Sequence, residues 1–195
     1  MKLSRKVKSV LQCSGPNDYD GQLQLLSASA KVLLQAIEDT KTKFMENQDV
    51  TDDMTEEGAE QLHLPEAPTE QVIEDRKTAI ELLRQHWRDL LVYRTWLKAL
   101  TTQLKKERRK AEVKLMHDLK YRARRMITAV HSLLAIDKVL DGGENPDEEA
   151  QRDAGEIPSH MNDSQTGCFL EKFFLYQVSC NQKIFKVVEN VNFEN

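Results

Sequence analysis

From Thr69 to Leu140 the chain runs seventy-two residues without a glycine or a proline. The two residues that most readily interrupt a helix are thus missing from more than a third of the sequence, and apolar side chains recur there at steps of three and four. Ile73, Ile80, Leu83, Trp87, Leu90, Leu97 and Leu104 make one stripe; Leu115, Leu119, Ala123, Met126, Val130, Leu133 and Leu140 continue it. The two join through Ala111 with one extra interval of four, a stutter that unwinds a supercoil locally without ending the helix. The pattern predicts a single coiled-coil helix over 69–140, on the order of 108 Å long. A rod of that length spans and joins; it does not enclose a substrate.

Helix-boundary chemistry agrees with those limits. Thr69 after Pro68 can cap the first turn, Glu70, Glu74 and Asp75 suit the positive end of the helix dipole, and Asp141-Gly142-Gly143 with Pro146 supplies a stop. A shorter amphipathic helix is predicted over 21–47, where Leu23, Leu26, Ala30, Leu33, Ile37 and Phe44 share one face with Thr40. Between them, residues 48–68 read as an acidic loop: from Glu46 to Asp75 there are eleven carboxylates and no Lys or Arg, broken by Gly58, Pro65 and Pro68.

The ends differ in texture. Residues 1–20 form a basic segment with Leu3, Val7, Val10 and Leu11 on one helical face, a pattern that transit peptides share with ordinary basic helices. Residues 141–163 are acidic and poor in large apolar groups, and read as a disordered linker. The tail, 164–195, holds five of the six phenylalanines and can be written as two short strands around Cys180-Asn181-Gln182 or as a helix starting at Phe169.

Several functions lose support at this level. The histidines His63, His86, His117, His131 and His160 form no metal-binding i,i+4 pair and flank no nucleophile motif, and no glycine spacing fits a phosphate loop. Neither catalytic residues nor a metal or cofactor site is expected. Cys13, Cys168 and Cys180 cannot all pair within the chain, which favours a reducing compartment. No run of apolar residues approaches a membrane span.

One charged block carries chemical content. From Lys98 to Arg125 eleven Lys or Arg stand against three acids. Solvated helix faces, neutralised in part by the acidic loop, are the plainest account. A phosphate-binding patch and a patch for an acidic protein surface are the others. Continuing the register through the block puts Arg94, Thr101 and Arg108 on the seam, where a parallel copy would set arginine against arginine, so an unlike or an antiparallel partner is expected.

The sequence therefore predicts an all-α, non-enzymatic protein: a helical hairpin extended into a coiled-coil arm, serving as an adaptor or subunit of a cytoplasmic, cytoskeletal or nuclear complex, with mitochondria a minor alternative. Its partner-binding residues are expected to be Leu115, Leu119, Met126, Val130, Leu133 and Leu140, with Arg108, Arg109, Arg122 and Arg125 selecting the partner electrostatically. The expected partners are other coiled-coil chains, in a hetero-oligomer. The alternatives are a chromatin or nucleic-acid binder using 98–125 and a helical protein held at a membrane surface by its basic residues.

Overall fold

A computed structural model of the chain describes residues 19–51, 62–67, 76–136 and 146–191. Five helices and their connections make up these residues, with no strand among them, as the all-α expectation requires. They are α1 (Tyr19–Gln48), α2 (Arg76–Lys106), α3 (Lys110–Ile136), the short α4 (Pro146–Asp153) and α5 (Asp163–Val191). The basic segment 1–18, the central part of the acidic loop, Ile73 and Leu140 lie outside the described residues.

The single rod is not what the chain forms. Helix α2 ends at Lys106 and α3 begins at Lys110. The turn between them is a Schellman motif built without glycine: the Arg109 amide donates to the Leu104 carbonyl at 3.0 Å and the Arg108 amide to Lys105 at 3.1 Å. Arg108 takes the left-handed conformation this requires, with φ of 60°. What drives the fold-back is burial, because seven residues in a row, Lys105 to Ala111, offer no large apolar side chain to a continuing stripe. On either side the stripes are mainly apolar, and folding one onto the other removes both from water. The stutter read at Ala111 is thus the end of one helix and the start of another.

The four long helices form a bundle in which each packs on two others. Helix α1 contacts α3 and α5, and α2 contacts α3 and α5, so α1 and α2 sit on one diagonal. Cross-helix pairs give the directions: Ala30 with Asn181 and Lys41 with Glu171 run α1 against α5, while Trp87 with His131 runs α2 against α3. Gln48 meets Glu112, which sets the end of α1 at the start of α3. Two helices therefore point up and the next two point down, a connectivity that needs one tight turn and two long crossings. The turn is 107–109; the crossings are 49–75 and 137–162.

The core is continuous along this bundle. All six apolar residues of the α1 stripe, Leu23 to Phe44, are buried, and they meet Met116, Leu119, Ala123, Met126, Val130 and Leu133 of α3. The tail supplies the fourth long helix as one continuous α5, so the two-strand alternative is excluded for 163–191. Asn162 and Gln165 begin it with a reciprocal capping box, each side-chain oxygen accepting from the other's backbone amide at 3.0 and 2.8 Å.

The described parts of the acidic connections pack on the bundle. Helix α4 packs on α2 through the buried Ala150, and the strap after it is held by Gln103, whose amide donates to the Met161 carbonyl and accepts from the Met161 amide, at 2.8 and 2.7 Å. The disordered-linker reading of 141–163 is therefore wrong for 146–163. In the first crossing, Leu62 is buried and the Pro65 carbonyl accepts from the Tyr93 hydroxyl at 3.1 Å.

Candidate functional site

The residues expected to line an exposed docking edge face inward. Leu119, Met126, Val130 and Leu133 are fully buried within the chain, and Leu115 is partly buried. The reason is the fold-back: α1 and α2 cover the face of α3 that a straight rod would leave bare.

The four arginines divide in a similar way. Arg109 is committed to the interior of the turn, where Nη1 lies 2.6 Å from Asp163 Oδ1 and the guanidinium stands over the Phe44 ring, 5.6 Å from its centre. Glu112 and Glu107 lie close by, at 3.6 and 3.7 Å. Partial burial opposes its charge, but Asp163, Glu112 and Glu107 outweigh that and raise its pKa. One guanidinium thus pins α1, α3 and α5 together beside the turn. Arg122 pairs with Asp118 one turn away at 3.7 Å, and Arg108 and Arg125 are exposed.

What the sequence did not show is a groove, made where the outer faces of α2 and α3 meet the strap that follows α4. Its volume is about 930 Å³. Arg94, Lys98 and Lys106 line it from α2, and Lys120 and Arg124 from α3, while no Asp or Glu is among its lining residues. The spacing explains this gathering: 94, 98, 102 and 106 lie one helical turn apart on one face of α2, as do 117, 120, 121 and 124 on α3. Antiparallel pairing brings the two rows alongside each other. The floor carries apolar side chains, Ala99, Ile157 and Pro158 partly exposed, with Leu100 and Met161 buried. Tyr121 stands at the edge, more than half exposed.

The electrostatics of the groove follow from that composition. Slight burial, then the positive charges of Lys105 and Lys120, hold the His117 imidazole below its ordinary pKa, so it is neutral at pH 7. Lys98, Lys106, Lys120 and Arg124 have no carboxylate within ion-pair distance among the described residues. Their charges are uncompensated locally, although the whole chain carries a net charge of −4. The signal for this site was in the sequence, as the excess of cations between Lys98 and Arg125; the antiparallel fold that doubles its density was not.

A second cluster has the residue types of an active site but no access. Tyr176 of α5 donates to Asp89 Oδ2 at 2.8 Å, and His86 Nδ1 lies 3.0 Å from the same hydroxyl. Since the hydroxyl proton goes to Asp89, His86 is the donor in the second bond and its proton sits on Nδ1. Its Nε2 is buried without a hydrogen-bond partner among the described residues. Burial pushes His86 down to about 3, and Asp89 up despite its bonds to Tyr176 and Gln85. Nearby, burial pushes the Cys180 thiol up to about 12, so it is no thiolate nucleophile. His86, Tyr176 and Cys180 are all buried and line none of the described cavities. This network orders the α2–α5 seam.

Among the described residues no group of His, Cys, Asp and Glu could hold a metal ion, and no helix is long and apolar enough to cross a membrane. No protein-family model matches the chain, and comparisons with curated proteins and with solved structures return no significant match.

Proposed function

We propose that the protein acts by binding other proteins through the outer faces of a self-contained helical bundle, as an adaptor, complex subunit or protein ligand, and performs no covalent chemistry. The observation that carries this reading is the disposition of its side chains: the His86–Tyr176–Asp89 cluster and both described cysteines are buried, and the large concavity presents cations beside apolar side chains. Such a surface recognises; its one imidazole, His117, has no hydroxyl or thiol hydrogen-bonded to it among the described residues to form a nucleophile–base pair. The up-up-down-down connectivity with two long crossings is that of growth-hormone and cytokine bundles, a likeness of connectivity alone. The unpaired thiols of Cys168 and Cys180 fit a reducing setting such as the cytoplasm or nucleus.

A photo-crosslinking amino acid placed at Tyr121, and separately at the exposed Leu175 of α5, tests the reading in cells. Protein adducts from either position are expected. Adducts to nucleic acid alone would overturn it in favour of the second reading, a nucleic-acid binder, which the uncompensated cations of the groove support. A salt titration separates the two as well, since each phosphate contact released adds to the slope of log affinity against log salt.

A further inference from the structure

We infer that the groove between α2 and α3 is a docking site for an acidic, amphipathic segment of a partner protein, one that carries carboxylates on its flanks and apolar side chains between them. This inference rests on the protein-binding reading above and gives that reading a location and a ligand chemistry.

The argument is one of complementarity. Lys98 and Lys106 stand on one wall, Lys120 and Arg124 on the other, all without carboxylate neighbours among the described residues. Two rows of ammonium and guanidinium groups spaced by helical turns over roughly 18 Å would meet an extended segment of about five or six residues. Between the rows lies apolar surface, which stabilises a complex only when an apolar side chain covers it.

That floor decides between classes of anion. A sulfated glycan or a single-stranded nucleic acid would set its most hydrated groups, or sugar hydroxyls, against Ala99, Ile157 and Pro158, and lose hydration without replacement. A base-stacking platform needs a series of aromatic rings, and among the described residues Tyr121 and the His117 imidazole are the only rings lining the groove. A duplex needs an element that protrudes, whereas this surface is concave. A peptide alternating Glu with Phe or Leu satisfies both the rims and the floor.

The strap gives the site a fixed shape. The paired hydrogen bonds between Gln103 and Met161, and the contact of His160 Nδ1 with Glu107 Oε1 at 3.2 Å, hold Pro158 to Met161 along α2. A floor that is already in place adds no ordering cost when the ligand arrives.

The test uses the full chain and fluorescence anisotropy with three labelled probes: an octapeptide of six glutamates and two phenylalanines, octaglutamate, and an oligothymidylate of eight nucleotides. The amphipathic peptide is expected to bind in the micromolar range, octaglutamate about fivefold more weakly, and the oligothymidylate most weakly. Replacing Lys98, Lys120 and Arg124 together by Glu is expected to weaken peptide binding about tenfold or more. These side chains point away from the core, and an unchanged thermal midpoint checks that the bundle survives. Oligothymidylate binding as tight as the peptide's would overturn the inference, as would peptide binding unmoved by the triple charge reversal. So would a tenfold gain in peptide affinity on converting Asp52, Asp53, Glu56, Glu57 and Glu60 to their amides, because the groove would then belong to the chain's own acidic segment. If no probe binds while crosslinks to a protein form at position 175, the groove assignment fails and the protein-binding reading stands.

Discussion

Two of the four seams of this bundle are filled in opposite ways. Where α1 meets α3 the contact is aliphatic, Leu23 to Ile37 against Leu119 to Leu133, with Ala30 and Ala123 as the small residues. Where α2 meets α5 it is aromatic: Tyr93 stacks on Phe173 with ring centres 4.3 Å apart, Tyr176 leans on Tyr93 at 5.1 Å, and Trp96 lies over Phe169 at 6.3 Å. The aliphatic seam carries a directional bond at its end, from Gln48 to Glu112, and along Leu23 to Ile37 it is stabilised by area. The aromatic seam carries three polar handles, the hydroxyls of Tyr93 and Tyr176 and the imidazole of His86, each of which needs its partner in place. One seam tolerates sliding; the other specifies a register.

The largest expected effect comes from charging the aliphatic seam. Replacing Leu119, Met126 and Leu133 together by Glu places three carboxylates where the side chains are fully buried, and the chain is expected to unfold, with loss of helical ellipticity. Were these residues the outer edge of a rod, the same variant would stay helical and merely lose its partner. Sedimentation equilibrium of the unaltered chain sharpens the contrast, since a self-covered bundle is expected to be a monomer at micromolar concentration.

Single truncations come next and compare the seams directly. Phe173→Ala should cost about 3–5 kcal/mol in denaturant unfolding and Leu33→Ala about 2–5, because both side chains are fully buried and leave cavities. Tyr93→Phe keeps the stacked ring and removes only the hydroxyl that serves the Pro65 and Lys172 carbonyls, so about 1 kcal/mol is expected. A Tyr93→Phe effect as large as that of Phe173→Ala would show that the polar handle, not the ring, holds the aromatic seam.

Acidification separates the seams at smaller magnitude. His86 has a folded pKa depressed to about 3, so the stability tied to its neutral form is complete above its unfolded value near 6.5 and is lost as pH falls toward 3. Asp89 has the opposite sign: its folded pKa is raised, so its contribution is complete below the unfolded value and lost as pH rises. The difference in unfolding free energy between the native chain and His86→Gln isolates the first group, because both proteins keep Asp89. That difference should fall by about 2 kcal/mol between pH 8 and pH 5. A flat difference across this range would mean that the imidazole is not sealed in the seam.

The contrast also explains what could be read from the letters. The aliphatic seam was legible because area burial writes itself as periodicity: every apolar position in the Leu23 to Phe44 stripe is buried, and so is the run from Leu119 to Leu133. Which face each run would meet was not legible, and the second run was read as open to a partner. The aromatic seam was hidden because its pairs lie far apart in sequence, His86 with Tyr176 and Tyr93 with Phe173, and no local spacing announces a contact across eighty or ninety residues. The tail was writable as strands or as a helix, and α2 supplies the rings that meet its Phe169 and Phe173. The groove failed to appear for the same reason, since its two rows of cations come from helices whose antiparallel pairing the sequence left open.

The turn itself gives the smallest and sharpest prediction. A break between α2 and α3 without glycine leaves Arg108 at φ of 60°, where a Cβ crowds the following carbonyl at a cost of roughly 1–2 kcal/mol. Arg108 is exposed and its amide keeps its bond to Lys105 whatever the side chain, so Arg108→Gly relieves the strain without touching the core. Glycine also loses more freedom on folding, which offsets part of the gain. A net stabilisation of about 0.5–1 kcal/mol is expected, read as a rise of roughly 1–4 °C in the thermal midpoint. In a continuous rod the same change would put glycine in the middle of a helix and lower the midpoint by a similar amount. The sign of that shift therefore distinguishes a hairpin from a rod with one substitution, at the position where sequence periodicity and tertiary burial disagree.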